Sequence, residues 1–257
     1  MKTVVITGAT AGIGRATAVR FDRAGYRVAA YGRNQEALDE LRTQLRPEAV
    51  VDSLEVQDTD AWATRLEQLA EHTDGQLDVL INNAGILSSG RFADISLADQ
   101  RKIIDVNVGG TLIGCHCAHR YLRATPNAQV INVSSASAMY GQAELATYSA
   151  SKFAIRGLTE ALELEWAADD IRVCAVWPLF VDTDMVDGVD TGSTRTMGVS
   201  LTADDVAETI LKVAQGRPRL PHGPHFAVGH QAKALMTIAA VTPDWVLRAI
   251  NRRATGQ

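Results

Sequence analysis

The stretch Thr3-Val4-Val5-Ile6-Thr7-Gly8-Ala9-Thr10-Ala11-Gly12-Ile13-Gly14 decides the fold. Its first five residues are apolar or β-branched without a break, the pattern of a strand buried on both faces of a parallel sheet. Glycines follow at once in a G-x3-G-x-G spacing, and a helical pattern follows them. Such glycines let the backbone turn tightly and approach a diphosphate, whose charge meets the helix N-terminus. The spacing departs from the usual G-x-G-x-x-G fingerprint, and a glycine-rich turn also serves plain strand–helix packing. Its place in the first βα unit of an alternating chain favours the nucleotide reading. Gly8, Thr10, Gly12, Ile13 and Gly14 are therefore candidate cofactor contacts.

Working outward, the same alternation recurs. Candidate strands are Thr3–Thr7, Arg27–Tyr31, Val50–Val56, Asp78–Ile81, Gln129–Ser134, Arg172–Val176 and Phe226–Val228. Between them lie amphipathic patterns over Gly14–Ala24, Gln35–Leu45, Thr59–Glu71, Leu97–Leu122, with a break near Asn107, and Ala146–Ala167. Strands alternating with helices imply right-handed βαβ crossovers. The expected fold class is α/β, a Rossmann-like doubly wound parallel sheet, in a single domain over residues 1–257. Ser96 with Asp99, and Thr202 with Asp205, have the spacing of capping boxes.

The chain has 257 residues, 46% hydrophobic and 21% charged, with a net charge of −5. Nothing in that charge argues for a nucleic-acid partner, and none is expected. Three cysteines form no disulfide framework and suit a reducing compartment. A buried strand beginning at Thr3 leaves no room for a leader peptide, and the cytoplasm is the expected location. The apolar run Ala234–Val241 is far shorter than the ~20 residues of a spanning helix, so no membrane span is expected.

The second strand ends in Tyr31-Gly32-Arg33-Asn34. An NAD site usually carries Asp or Glu there, on the adenosine ribose. Here the acid is missing and Arg33 offers a guanidinium suited to a 2′-phosphate. Arg33 and Asn34 are candidate contacts, NADP(H) is the expected cofactor, and NAD(H) is the alternative. Asn83-Ala84-Gly85 follows the fourth strand, where ligands of open α/β sheets bind, so these three join the candidate set.

Tyr148 and Lys152 stand four residues apart, on one face of a helix. A free phenol titrates near 10, and an ammonium beside it favours phenolate. Ser135, thirteen residues before Tyr148, ends a buried strand and can hold a carbonyl oxygen as charge develops on it.

This set, T-G-x-x-x-G-x-G, N-N-A-G, a lone Asn and S-x12-Y-x-x-x-K, resembles the short-chain dehydrogenase/reductase family in its single-domain branch. The resemblance implies an oxidoreductase moving a hydride between a nicotinamide cofactor and a ketone, aldehyde or secondary alcohol. It implies Tyr148 as general acid/base, Lys152 on the nicotinamide ribose, Ser135 orienting the carbonyl, and Asn107 supporting a water relay to Lys152. It adds Glu55 and Val56 at the adenine, and Pro178, Val181 and Thr183 at the nicotinamide. The family's Pro-Gly after the sixth strand is Pro178-Leu179 here, which predicts rearranged backbone contacts, since leucine resists positive φ. It also implies a homodimer or homotetramer built on the two long helices.

Cys115-His116-Cys117-Ala118-His119 does not bring its cysteines and histidines onto one helix face, and no metal is expected. Residues 184–200 follow the sixth strand with few core residues and predict a substrate lid. Residues 217–225 predict a loop, with His222, His225 and His230 as loop residues. Residues 230–257 predict a helical tail packed on the domain or a neighbouring subunit, the alternative being an apolar wall of the substrate pocket or a membrane-surface contact. A sugar-nucleotide epimerase or dehydratase shares the Tyr–Lys pair but needs a larger C-terminal domain. A non-catalytic nucleotide sensor on the same fold has no need to keep Ser135, Tyr148, Lys152 and Asn107 together.

Overall fold

The computed structural model describes residues 1–183, 185, 191, 198, 201–216, 223–243, 245–246, 248–249 and 252. Most of the expected lid, residues 184–200, and His222 lie outside the described residues. Seven parallel strands form the central sheet: β1 (Thr3–Thr7), β2 (Arg27–Gly32), β3 (Val50–Ser53), β4 (Val79–Asn82), β5 (Gln129–Val133), β6 (Arg172–Trp177) and β9 (His225–Ala227), in the order β3-β2-β1-β4-β5-β6-β9. The chain runs outward from β1 to β3 and then crosses back to β4, beside β1. That reversal opens a crevice beyond the carboxyl ends of the strands.

Alternation along each strand feeds two cores. Val4 and Ile6 face one layer, where α1 (Gly12–Arg23), α2 (Gln35–Arg42) and α7 (Ala203–Gln215) contribute Phe21, Leu38, Leu41, Val206 and Ile210. Val5 faces the other layer, where α3 (Thr59–Ala70) and α5 (Gly110–Arg123) contribute Trp62, Leu66, Cys115 and Leu122. Burial of both faces explains why β1, β2 and β4 carry unbroken apolar runs.

Helix α6 (Ala146–Glu165) is docked on the sheet by a buried polar bridge. Asn82 Nδ2 donates to Asn132 Oδ1 (3.0 Å), and Asn132 Nδ2 donates to Thr159 Oγ1 (2.9 Å). This bridge joins β4, β5 and α6, the three elements that frame the reaction end of the crevice.

Several sequence expectations shift. Strand β3 stops at Ser53 rather than Val56, because Ser53 pairs with Gly32, the last residue of β2, and the ladder has no further partner. Helix α4 (Leu97–Ile104) does not break before α5; it widens into a π turn over Asp105–Gly109 and continues. Thr202 and Asp205 form a complete capping box. Ser96 accepts from the Asp99 N–H, but the Asp99 carboxylate takes the Ser96 hydroxyl rather than its backbone N–H. His225 is no loop residue: it opens β9, and its ring lies 4.3 Å from that of Trp177 with Nε2 2.8 Å from Glu160 Oε1. Residue His230 lies in α8 (Gly229–Val241), the first part of the expected helical tail. Two short parallel strands, β7 (Val181–Asp182) and β8 (Leu201–Thr202), were not anticipated; they pair the two ends of the segment expected to form the lid.

Candidate active site

A cleft of about 320 Å³ lies beyond the carboxyl ends of the strands, within the size range of small-molecule sites. At its diphosphate end the glycines are required by close approach. Gly8 has φ +65°, and a Cβ there would lie 2.8 Å from Ala84 Cα; a Cβ on Gly14 would lie 2.1 Å from the Gly8 carbonyl oxygen. Thr7 and Asn83 stitch this turn to the loop after β4. The Thr7 hydroxyl oxygen accepts from the N–H groups of Asn83 (3.0 Å) and Ala84 (3.1 Å), and Asn83 Nδ2 donates to the Thr7 carbonyl (2.9 Å). Across the turn, a Cβ on Gly12 would meet Thr183 Cγ2 at 3.0 Å, so Thr183 closes over the glycines.

At the outer end, Arg33 lies 3.7 Å from Glu55, and both side chains are about half exposed. A Cβ at position 32 would sit 2.5 Å from Thr10 Cγ2, so a larger residue there requires the Thr10 side chain to turn away. Asn34 lines the cleft, yet its side chain caps α2 by accepting from the Ala37 N–H (3.2 Å).

At the reaction end, Ser135 follows β5 and Tyr148 and Lys152 sit in the first turns of α6. The Ser135 hydroxyl stands close enough to the Tyr148 phenol to favour its ionised form. Lys152 Nζ lies 5.4 Å from the Tyr148 ring centre and donates to the Val133 carbonyl at 3.0 Å. Burial raises the Tyr148 phenol from 10.0 to about 12, opposed by the Ser135 hydrogen bond, and lowers Lys152 from 10.5 to about 8. The sequence suggested that the ammonium would pull the phenol down. In the folded chain desolvation decides the direction for both groups, because the same burial disfavours both charges.

Asn107 and Gly14 stand behind the cleft wall, whereas the other predicted residues line it. The π turn aims the Asn107 amide at the loop after β4. Its Oδ1 accepts from the Ile86 N–H (2.8 Å), and its Nδ2 donates to the Ile86 carbonyl (2.9 Å) and to Ser151 Oγ (3.0 Å). The side chain thus clamps the backbone just past Gly85. Leu179 keeps an ordinary backbone, since it is not among the described residues with positive φ, and Ala136 N–H donates to the Pro178 carbonyl (2.9 Å). Replacement of glycine there costs no strain.

The cleft also contains Leu87, Ser137, Gln142, Leu145, Phe180 and Met185, which sequence reading missed. Five fall in irregular segments, and no period of 2 or 3.6 marks such positions. The Cys115–His119 cluster serves packing instead. Cys115 Sγ meets Asn82 Nδ2 at 3.3 Å, and His119 pairs with Asp169 at 3.1 Å against the Trp166 ring.

A family model for short chain dehydrogenases matches residues 2–193. The chain belongs to the short-chain dehydrogenase family. As a member it is an NAD(P)-dependent oxidoreductase. It is 35% identical over 190 residues to a 3alpha-hydroxysteroid dehydrogenase of Mediterraneibacter gnavus, covering 72% of this chain and 76% of that protein. An oxidoreductase of Staphylococcus epidermidis is 33% identical over 205 residues, covering 80% of this chain and 89% of that one. Among solved structures, a 3-ketoacyl-(acyl-carrier-protein) reductase from Brucella melitensis, complexed with NADH, superposes with a TM-score of 0.80. It is 24% identical and the match covers 88% of this chain and 96% of that one. The aldohexose dehydrogenase of Thermoplasma acidophilum gives 0.74 at 26% identity, covering 88% and 92%.

The residues of this short-chain dehydrogenase fit a dinucleotide. The backbone cradle at Gly8, Gly12 and Gly14 has no room for Cβ atoms at Gly8 or Gly14, and Gly85 lies where a Cβ would meet Asn107 Oδ1 at 3.3 Å and Lys152 Nζ at 3.8 Å. No described helix is long and apolar enough to cross a membrane.

Proposed function

We propose that this short-chain dehydrogenase interconverts an apolar ketone and its secondary alcohol, with Tyr148 as the proton donor and acceptor. The observation that carries the reading is the meeting of Ser135, Tyr148 and Lys152 at one end of the cleft. The nicotinamide ring, when bound, supplies or accepts the hydride. Ser135 holds the substrate oxygen by its hydroxyl, and Tyr148 passes its phenolic proton to that oxygen as negative charge grows there. In reduction the neutral phenol is the form required, and burial supplies it. Lys152, held at the Val133 carbonyl, places its ammonium beside the phenol and so favours phenolate once the proton has left. Gly8, Thr10, Gly12 and Ile13 would hold the diphosphate, and Ala84, Gly85, Pro178, Val181 and Thr183 the nicotinamide half.

Leu87, Leu145, Phe180 and Met185 add apolar surface to the cleft, which favours a hydrocarbon body around the carbonyl. The likeness to a 3alpha-hydroxysteroid dehydrogenase supports the same class. Arg33 supports a preference for NADP(H), moderated by Glu55. Two of the three cysteines are buried as free thiols, which suits a reducing cytoplasm. Leu112 on α5 and Phe153 and Leu164 on α6 are exposed, as an interface between copies through these helices requires. Sedimentation should show a dimer or larger at micromolar concentration; a monomer ends that part of the reading.

The decisive experiment is Tyr148→Phe, assayed with cyclohexanone, acetophenone and a 3-ketosteroid. Turnover should fall by at least ~10²-fold, while cofactor binding by fluorescence stays intact. Near-full turnover with chemistry limiting the rate would remove Tyr148 from its role.

A further inference from the structure

The loop between β5 and α6 contains a buried polar chain that runs from Ser135 to residues without a part in the reaction described above. Ser137 and Gln142 are 2% and 3% exposed, and both line the cleft. The Ser137 N–H donates to Ser135 Oγ (3.1 Å), and the Ser135 hydroxyl donates to Ser137 Oγ (3.2 Å). The Ser137 hydroxyl donates to Gln142 Oε1 (3.2 Å), and Gln142 Nε2 donates to the Tyr140 hydroxyl (3.2 Å). The backbone N–H of Gln142 donates to Ser149 Oγ (3.1 Å), on the residue that follows Tyr148. Gln142 is thus tied by its backbone to the turn bearing Tyr148 and by its side chain to the loop bearing Ser135.

We propose that Gln142, acting through Ser137, is a positioning residue that sets the Ser135 hydroxyl against the Tyr148 phenol. The proton count explains how. Each serine has one hydroxyl proton. Gln142 Oε1 takes the proton of Ser137, so Ser137 Oγ is left as an acceptor toward Ser135. The Ser135 proton then rests on Ser137 Oγ or passes to an oxygen in the site, the phenolate or the substrate oxygen, while a lone pair of Ser135 takes the Ser137 N–H. Without Gln142 the Ser137 proton is free to turn onto Ser135, and the serine loses its fixed orientation. Such a chain of buried hydrogen bonds orders a site only while every member is satisfied. The charged group facing the Tyr148 ring is Lys152, from the same helix, and Tyr140 is the titratable group at the far end of the chain.

The inference rests on Tyr148 being the acid/base, and the test separates the two. Gln142→Met keeps the length and the backbone tie but removes both polar atoms. Measured with the same ketones and their alcohols, kcat should fall by about ten- to a hundredfold, the upper end being the scale of a 1 Å misplacement, with cofactor Kd and binding stoichiometry unchanged. Ser137→Ala should do the same, Ser137→Thr should restore activity, and the double variant should lose little more than either single one, because both act on one chain. A readout free of substrate is tyrosinate absorbance of the protein loaded with oxidised cofactor, taken as the difference from Tyr148→Phe. Its onset should rise by about 0.5–1 pH unit in Gln142→Met, because the hydrogen bond that favours phenolate is no longer held. An unchanged onset with kcat within about twofold of the parent, or losses that multiply in the double variant, would overturn the inference. A Tyr148→Phe variant that keeps its turnover would instead overturn the acid/base reading beneath it.

Discussion

Replacing Asn107 by alanine separates two roles for this residue. The family resemblance gives it a water relay, whereas the structure shows its amide clamping Ile86 by two hydrogen bonds and Ser151 by a third, from a position only 1% exposed. Each such bond contributes about 0.5–1.5 kcal/mol, and a buried partner left unsatisfied costs about 1–3 kcal/mol. Ile86 is only half-buried, so water replaces part of what it loses. The balance is a destabilisation of about 2–4 kcal/mol. At about 2–4 °C per kcal/mol for a chain of this size, Tm should drop by roughly 5–15 °C in cofactor-free protein. The assay is thermal unfolding followed by circular dichroism, with cofactor Kd as a second arm, since the clamped backbone adjoins Gly85. A Tm within about 1 °C of the parent, accompanied by a fall in kcat alone, would refute the clamp and restore the relay as the residue's whole role.

Arg33→Ala should weaken NADPH by about tenfold, the low end for a charge-assisted contact, because Glu55 already shares the guanidinium; NADH should be nearly unaffected. Calorimetric Kd values for both cofactors at fixed ionic strength check this, and an unchanged ratio sinks the assignment. The pH dependence follows from burial. Alcohol oxidation needs the phenolate, the minor form at neutral pH because Tyr148 is pushed up to about 12, so its kcat/KM should climb from pH 6 to 8. The climb should flatten above pH 8, where Lys152, lowered to about 8, begins to lose its charge. A flat profile from pH 6 to 8 contradicts the raised phenol.

The sequence by itself determined the layered α/β fold, because the signals for it are local. Thr3–Thr7 is apolar throughout since both its faces are buried, and the glycines behind it are forced by close backbone contacts that no other residue satisfies. The pairing of Tyr148 with Lys152 was legible for the same reason: four residues along a helix always share a face. Tertiary structure decided what depends on residues far apart in the chain. The Asn107 clamp spans 21 residues, and the pairing of His225 with Glu160 spans 65. The Ser135–Ser137–Gln142 chain is short in sequence, but it lies in an irregular loop whose path is set by its bonds to α6 rather than by any periodicity. Even the sign of the Tyr148 shift was beyond the sequence. A neighbouring lysine is visible in the letters, but the desolvation that raises the phenol exists only once the sheet, α6 and the loops close around both groups.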